Sequence, residues 1–412
     1  MKNVPELRFK EFSGEWKEEK FGQLFSFIST NSFSREKLNY NTGKVKNIHY
    51  GDIHTKFRSL FDIKKEYVPF INKGVLDKKI NDDNFCKEGD LIIADASEDY
   101  EAIGKTIELI NLNCEKIVAG LHTIMARPIN NNIAIGFTGY LMQSSNVHYQ
   151  IKMIAQGIKV LSISSKRLKE IFFNIPDIPE QQKIASFLSA IDKKIELTDK
   201  KLEYLESYKK GLMQKLLTGE IRFPDFNDEW EEKKLGNLLQ EKNKRNKDES
   251  IKLVLSVSNK FGLVGQTNYF NKTIASENTS NYKIIEKSDF AYNPARINVG
   301  SIAFMDNFNI GIISPMYIIF KTESNLLNNY YLNFWMQTFL FKNQLKNLLT
   351  GSVRQSLNFI DMKLINILIP SIHEQQKIAS FLSAVDKKIE LLKSRLKNLK
   401  IYKKGLLQKM FV

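Results

Sequence analysis

The stretch EQQKIASFLSAIDKKIEL at residues 180–197 returns as EQQKIASFLSAVDKKIEL at residues 374–391, with Ile191 replaced by Val385. The two copies lie 194 residues apart. A near-identical repeat at this distance predicts a chain made of two copies of one unit, related by internal two-fold pseudosymmetry. Such a chain would suit a ligand with two corresponding binding sites, one for each unit.

Both repeated blocks have the apolar pattern of a long helix. Apolar residues recur at alternating steps of four and three over about five heptads, which is typical of a coiled-coil seam. Pro176 and Pro370 stand just upstream and predict where each helix begins. Because long, different segments separate the two helices, antiparallel pairing is the simplest closure. The predicted seam residues are Ile184, Leu188, Ile191, Ile195, Leu202, Leu205, Leu212, Ile378, Leu382, Val385, Ile389, Leu396, Leu399 and Leu406.

A second repeated motif marks the start of each unit. RFKEFSGEW at 8–16 matches RFPDFNDEW at 222–230. The spacing between these copies differs from that between the helices, so the bodies of the two units differ in length. The pattern predicts a first domain (1–175), a central long helix (176–217), a second domain (218–369) and a C-terminal long helix (370–412).

The two bodies, 25–175 and 240–369, combine strand signals with helical tracts. DLIIADAS at 90–97 and PMYIIF at 315–320 are short apolar runs bounded by turn residues, as expected for strands. The tracts 132–155 and 325–348 predict helices at corresponding places. We therefore predict two α/β (α+β) domains of like fold, each followed by a long helix, with the two helices forming an antiparallel coiled coil.

Composition favours a polyanionic partner. The 412 residues carry 61 basic and 46 acidic side chains, a formal net charge of +15. Such an excess of positive charge is typical of nucleic-acid-binding proteins. No run approaches the roughly 18–20 apolar residues of a membrane span. Two cysteines, Cys86 and Cys114, form no disulfide framework, and we expect a cytoplasmic protein.

Catalytic motifs are incomplete throughout the sequence. Gly104-Lys105-Thr106 resembles the end of a phosphate-binding loop, but Asp99 stands where its first glycine belongs. The five histidines are scattered, with no metal-ligand spacing. We therefore predict no catalytic residue, no metal site and no enzymatic activity.

Polar and aromatic residues near the predicted strands are better candidates for a function. Arginine and lysine suit guanine edges, asparagine and glutamine suit adenine edges, and further basic residues hold phosphates. For any one of them, an ordinary exposed loop side chain is the competing interpretation. The candidate DNA-binding residues are Lys46, His49, Tyr50, Asp52, His54, Lys56, Ser97, Lys105, His122, Lys159, Ser258, Asn259, Tyr292, Arg296, Asn298, Arg354, Gln355 and Asn358.

Taken together, these motifs resemble one family over essentially the whole chain, the specificity (S) subunits of type I restriction–modification systems. The resemblance rests on a proline shortly before EQ-x-KIA-x2-L-x3-D at 176–192 and 370–386, with His373 in the place of Pro179. The segment RF-x2-F-x2-EW that opens each unit, the closing KKGL-x-QK and the YGDI stretch at 50–53 also match this family.

The resemblance implies a function in DNA recognition. The domains 1–175 and 218–369 would be target-recognition domains, each reading one half of a bipartite DNA sequence. The helices 176–217 and 370–412 would be spacer helices that set the gap between the halves. Two methyltransferase (M) subunits would dock on the chain, and two restriction (R) subunits would join the full complex. S-adenosylmethionine, ATP and magnesium would belong to those partners, and no cofactor to this chain. A stand-alone bipartite DNA-binding protein and a structural coiled-coil assembly protein are the alternatives.

Overall fold

The chain forms two compact units, each made from one body and half of each long helix. The computed structural model describes residues 3–75, 80–259, 262–266, 278–349 and 356–412. Unit 1 contains residues 1–199 and 394–412, and unit 2 contains residues 200–393. The four predicted segments follow the sequence repeat, whereas the compact units divide both helices near their middles. No helix in the described ranges is long and apolar enough to cross a membrane.

Unit 1 is built on a five-stranded and a four-stranded sheet. The five-stranded sheet contains, in spatial order, Phe25–Ile28, Thr123–Pro128, Leu91–Ala94, Thr106–Asn111 and Leu60–Asp62. The four-stranded sheet contains Ile117–Ala119, Lys46–Ile48, Phe70–Ile71 and Leu38–Asn39. Two further pairs join Lys17–Lys20 to Phe172–Ile175 and Ala96–Ser97 to Leu161–Ser162. Two neighbouring pairs in these sheets are parallel, Leu60–Asp62 with Thr106–Asn111 and Ile117–Ala119 with Lys46–Ile48.

The strand Leu91–Ala94 is entirely apolar because both of its faces are buried. Because side chains alternate across a strand, Ile92 faces the core shared with the four-stranded sheet, and Leu91 and Ile93 face the core that includes the helices. All four residues are buried. The strand therefore lies at the centre of unit 1.

Unit 2 repeats this plan with two four-stranded sheets. One contains Leu239–Lys242, Ile318–Thr322, Phe290–Tyr292 and Ile302–Phe304 in spatial order, and the other contains Gly262–Gly265, Val254–Ser258, Ile310–Ile313 and Lys283–Glu286. Glu231–Lys234 pairs with Asn366–Ile369, as Lys17–Lys20 pairs with Phe172–Ile175 in unit 1. Phe290 and Tyr292 face the helical core, and Ala291 faces the core between the sheets.

Short helices accompany the sheets in both units. Among the described residues, the bodies contain the α-helices Phe21–Leu24, Tyr50–Thr55, Thr138–Leu141, Ser145–Ile154 and Ser165–Leu168 in unit 1, and Asn329–Trp335, Phe339–Leu348 and Phe359–Met362 in unit 2. The predicted helical tracts 132–155 and 325–348 are thus confirmed, each as two consecutive helices. Ser144 and Asn328 cap one helix in each tract through their side chains.

The two long helices span Ile178–Leu217 and Ile372–Lys409, and we call them the central helix and the C-terminal helix. Lys403 contacts Asp192 in unit 1, and Lys209 contacts Asp386 in unit 2, so the helices run antiparallel in each unit. Every predicted seam residue is buried or half-buried. Lys209 and Lys403 stand where the apolar pattern of each seam is interrupted, and each forms one of these ion pairs.

A pair of repeated contacts ties each opening segment to its helix. Arg8 donates two hydrogen bonds to Glu180, at 2.8 and 2.7 Å, and Arg222 donates two to Glu374, at 3.0 and 2.7 Å. Both carboxylates are buried. The arginine of the RF motif and the glutamate of the EQ motif are therefore partners, and this contact explains why both recur.

The glutamine of the EQ motif holds the start of each helix. Gln181 donates to the carbonyls of Pro176 and Asn132 and accepts from the Ala134 N–H. Gln375 makes the equivalent bonds to Pro370, Leu326 and Asn328. These bonds satisfy buried backbone groups where strand, loop and helix meet.

Candidate nucleic-acid interface

The short helix Tyr50–Thr55 organises the candidate surface of unit 1. Its N-cap is His49, whose Nδ1 accepts a hydrogen bond of 3.1 Å from the Gly51 N–H. An accepting Nδ1 belongs to the neutral tautomer that carries its proton on Nε2. Burial, followed by the charge of Arg35, lowers the pKa of His49, which favours this neutral form.

Three histidines surround the ring of Tyr50. The ring centroids of His49, His54 and His122 lie 4.7, 6.3 and 5.2 Å from that of Tyr50. The predicted residues His49, Tyr50, His54 and His122 are therefore brought together, although 73 positions separate the first from the last. His122 is exposed and Tyr50 and His54 are half-buried, whereas His49 is buried, so His49 supports this surface and is not the exposed contact that was predicted.

Two basic residues share one buried carboxylate beside this cluster. Asp52 is 1% exposed and accepts from Arg35 at 2.7 and 2.9 Å and from Lys56 at 3.0 Å. Burial alone would raise the pKa of Asp52, but the hydrogen bonds from Arg35 and Lys56 outweigh it and lower the pKa. Tyr40 accepts from both basic groups through its hydroxyl, at 3.2 and 2.9 Å.

The strand-end loop after Leu91–Ala94 completes the surface. His54 Nε2 lies 2.9 Å from the Ala96 carbonyl, and Lys105 Nζ donates to the His54 carbonyl at 2.8 Å. His122 Nδ1 lies 3.3 Å from Asp95 Oδ1. Partial burial lowers the pKa of Lys105. Lys105 and His122 thus join the helix Tyr50–Thr55 at one edge of the sheet.

Other predicted residues of unit 1 lie elsewhere or have internal roles. Lys46 pairs with Glu115 at 2.5 Å and lies over the ring of Phe70. These contacts do not involve the residues around Tyr50. Ser97 is buried and donates to the Asp99 carbonyl. Lys159 is exposed in the turn before Leu161–Ser162. The prediction that Asp52 contacts DNA directly is wrong. Its side chain is buried, and its oxygens accept from Arg35 and Lys56.

In unit 2 the candidate surface is the segment Pro294–Val299, a short 3₁₀-helix. Asn293 caps it by accepting from the Ala295 N–H at 3.1 Å, and Gly300 ends it with a φ of 87°. Arg296 is exposed on this segment. Asn259 donates to the Val299 carbonyl at 2.5 Å.

The predicted Asn358 is brought to the same surface through its neighbour. The Leu357 N–H donates to the Pro294 carbonyl at 3.1 Å, and Asn358 caps the helix Phe359–Met362. Asn298 is exposed on the Pro294–Val299 segment, and Ser258 ends the strand that precedes Asn259. Arg354 and Gln355 lie outside the described residues.

Tyr292 is a core residue and not a surface contact as predicted. It is fully buried and packs with Phe320 in the helical core of unit 2. Its position on a strand buried on both faces explains the error, because a tyrosine beside polar loop residues looks the same in sequence whether it faces in or out. Burial raises the pKa of its hydroxyl group.

The surfaces of the two units occupy equivalent places. In unit 1 the Ile163 N–H donates to the Asp95 carbonyl at 2.9 Å, which matches the bond from Leu357 to Pro294 in unit 2. Both bonds join the loop after a central strand to the tract before a short helix.

Sequence reasoning missed Arg35 and Tyr40, because nothing near them in the sequence marks their distant partner Asp52. In the described ranges, no three His, Cys, Asp or Glu side chains are grouped to hold a metal ion.

Two like α/β domains, each with a polar surface at the same place and each followed by a repeated helix, define a two-site recognition protein. A family model described as the type I restriction modification DNA specificity domain matches residues 13–207 and 227–400. The chain belongs to this family and is the DNA specificity subunit of a type I restriction–modification system. The predictions of family, fold class and overall function are confirmed.

Similar proteins cover nearly the whole chain. A putative type I restriction enzyme MjaX specificity subunit of Methanocaldococcus jannaschii is 23% identical, over 98% of this chain and 95% of its own length. The S subunit structure from M. genitalium covers 99% of both chains at 15% identity, with a TM-score of 0.61. An HsdS subunit from Thermoanaerobacter tengcongensis covers 96% of both at 14% identity, with a TM-score of 0.51. The two structures share the fold of this chain.

Proposed function

We propose that each unit reads one half of a bipartite DNA sequence, and that the paired helices set the separation of the two readers. The observation that carries this proposal is the pair of equivalent surfaces, built at the same place in each unit from different residues. A bipartite site needs two readers held at a fixed distance and phase along the duplex. Paired long helices supply a stiff connection.

The two surfaces differ in the chemistry they offer, so we infer two different half-sites. Unit 1 presents His54, His122 and Lys105 around Tyr50, whereas unit 2 presents Arg296 with Asn298 and Asn358. Arginine favours the O6 and N7 acceptors of guanine, and asparagine favours the edge of adenine. The loops that carry these residues are those in which the two repeats diverge.

Arg35 and Lys56 have the properties of a phosphate anchor for unit 1. Their side chains are 43% and 51% exposed, while the shared Asp52 is buried behind them. The Asp52 carboxylate and the Tyr40 hydroxyl fix both cations in place, which lowers the entropy cost of contacting a phosphate. Phosphate contacts orient a protein on the duplex and leave base reading to neighbouring side chains.

The repeated helices suit the docking of two copies of one M subunit. Leu197 and Leu391 are equivalent in the repeat and are 57% and 70% exposed, and the equivalent Tyr208 and Tyr402 are 46% and 52% exposed. Matching exposed apolar side chains would offer each of two identical partners the same contact. Two R subunits would join the M subunits, which would carry S-adenosylmethionine, while the R subunits would carry ATP and magnesium. This chain would be non-catalytic, bind no cofactor and act in the cytoplasm.

Co-expression with the M subunit tests the proposal. We expect a stable complex and methylation at a single bipartite sequence, mapped across the genome with and without this chain. Specific DNA binding by the isolated chain without M association would favour a stand-alone DNA-binding protein. A chain that prefers no duplex sequence would be a structural assembly protein.

A further inference from the structure

The two long helices differ most along one flank of their seam. In the central helix the flank carries Asp199, Glu203 and Glu206, and the equivalent residues of the C-terminal helix are Lys393, Lys397 and Lys400. Charge is thus reversed at three repeat-equivalent positions, although the preceding 18 residues of each block differ only at Ile191 and Val385. The reversal accounts for much of the basic character of the C-terminal helix.

One contact shows how this flank is used. In unit 2, Lys393 Nζ lies 2.7 Å from Glu206 Oε1, and the side chains are 56% and 45% exposed. The repeat relates Glu206 to Lys400 and Lys393 to Asp199, so Lys400 and Asp199 occupy the equivalent position in unit 1. Both positions therefore carry residues of opposite charge, and in unit 2 these form an ion pair.

Charges within the seam do not make this distinction. Asp192 pairs with Lys403 in unit 1, and Lys209 pairs with Asp386 in unit 2. Each helix carries an aspartate and, 17 residues later, a lysine. Any antiparallel pair of these helices, including two central helices from different copies of the chain, would satisfy both seam contacts. The seam sets the orientation and leaves the choice of partner open.

We propose that the flank charges make the central helix select the C-terminal helix of its own chain over the central helix of a second copy. Two central helices in this register would place Asp199 against Glu206, and two C-terminal helices would place Lys393 against Lys400. Flanking charges of this kind determine partner choice in coiled coils. A chain with two nearly identical seams needs such a device, because exchange between copies would otherwise be almost neutral.

Two double variants of equal net charge test the proposal in the full-length chain. Asp199→Lys with Lys393→Asp makes both flank positions like-charged within the chain, and opposite-charged between copies. Asp199→Lys with Lys400→Asp is the matched control, because both flank positions within the chain keep opposite charges. We expect the first variant to unfold about 3–6 °C below the second at low salt, and to associate with itself more strongly.

Salt supplies the internal check. At 1 M salt the Debye length is about 3 Å, so the difference between the variants should shrink markedly. Equal unfolding midpoints at low salt, or a difference that 1 M salt leaves unchanged, would overturn the proposal. Because unfolding and light scattering need no DNA, this outcome is independent of the function proposed above.

Discussion

Arg35 and Lys56 owe their positions to a residue that never reaches the surface. Asp52 holds both cations through a carboxylate that is 1% exposed. Breaking such a contact leaves a buried charge without a partner, so the carboxylate belongs to the support of the site. At the residue scale, unit 1 therefore separates two roles: the buried Asp52 fixes the cations, and the exposed Arg35 and Lys56 are placed to contact DNA.

Lys56→Ala should weaken binding of every DNA sequence to a similar degree. The variant removes one phosphate contact, so the slope of log affinity against log salt should fall by about 1. Titrations of cognate and unrelated duplexes over a range of salt measure both quantities. Lys65→Ala is the control, because Lys65 is also half-exposed beside a carboxylate, at 3.7 Å from Asp62. A loss confined to the cognate duplex would instead identify Lys56 as a base contact.

Arg296→Ala should damage recognition of one half-site only. A bidentate contact to guanine contributes about 1–3 kcal/mol to discrimination, and the other half-site is read by unit 1. Methylation or binding measured on duplexes mutated one base pair at a time locates the loss. Lys321→Ala removes an exposed cation from a strand of the same unit and should leave the pattern unchanged. A loss spread evenly over all sequences would assign Arg296 to a phosphate.

Glu108 should make unit 1 less stable as the pH rises. It is 1% exposed and accepts from the Gly136 and Gly139 N–H groups at 2.5 and 2.6 Å, yet burial raises its pKa to about 7. The folded state therefore holds this proton between about pH 4.5 and 7, where the unfolded state has released it. Stability from this group falls across that window, by about 3 kcal/mol in total.

Unfolding by denaturant at pH 5 and at pH 8 measures this effect. Glu108→Gln cannot titrate, so the difference in stability between the two pH values should become smaller in the variant than in the parent chain. The glutamine side chain can itself change the free energy of unfolding by the same amount at both pH values. Such a change cancels when the pH 5 and pH 8 values of one protein are subtracted. A variant that keeps the full pH dependence of the parent would show that other groups are responsible.

At the element scale, the two long helices carry repeated contacts in their first turns and along the seam. The bonds of Arg8 to Glu180 and of Arg222 to Glu374 join each opening segment to the first turn of its helix, where Gln181 and Gln375 satisfy the backbone. Sequence reasoning predicted these helices well, because apolar periodicity and proline boundaries are local signals. It did not explain the recurrence of RF and EQ, because their partnership is visible only when distant segments meet.

Arg222→Ala should destabilise unit 2 more than the loss of an exposed ion pair does, since it leaves the buried Glu374 carboxylate without its partner. Hydrogen exchange localises the loss, which should centre on the first turns of the C-terminal helix. Lys215→Ala is the matched control, because the pair it forms with Glu220 is exposed and should contribute less than about 1 kcal/mol. Equal effects of the two substitutions would contradict this role for Arg222.

At the scale of the whole molecule, the internal repeat was enough to predict the architecture. The DNA-binding residues were harder to predict, because they lie in loops whose packing the sequence does not reveal. Strands such as Leu91–Ala94 and Ile318–Thr322 were found because apolar runs between turn residues are distinctive. Tyr292 and Asp52 were misplaced because burial depends on packing that a single sequence does not reveal. The grouping of His49, His54 and His122 around Tyr50 likewise required the fold.

One heptad inserted into both long helices should lengthen the gap between the half-sites. Seven residues at 1.5 Å each add about 10 Å, or roughly three base pairs at 3.4 Å. Each half-site should keep its bases, because neither reading surface changes. Mapping of methylated sites in cells that carry the insertion measures the gap. Insertion into one helix alone makes the two helices unequal in length and displaces their ion pairs, and it serves as the control. An unchanged gap with both helices lengthened would reject the role of the helices as a spacer.

The composition of unit 1 has a consequence for synthesis on the ribosome. Its core includes Leu406, Met410 and Phe411, with Phe411 packed against Trp16 and Phe137. Unit 2 is continuous in sequence, so it can close without residues 394–412. The body of unit 1 leaves the ribosome before unit 2, but its apolar surface stays uncovered until residues 394–412 emerge. This order reverses the usual vectorial folding of two-domain proteins.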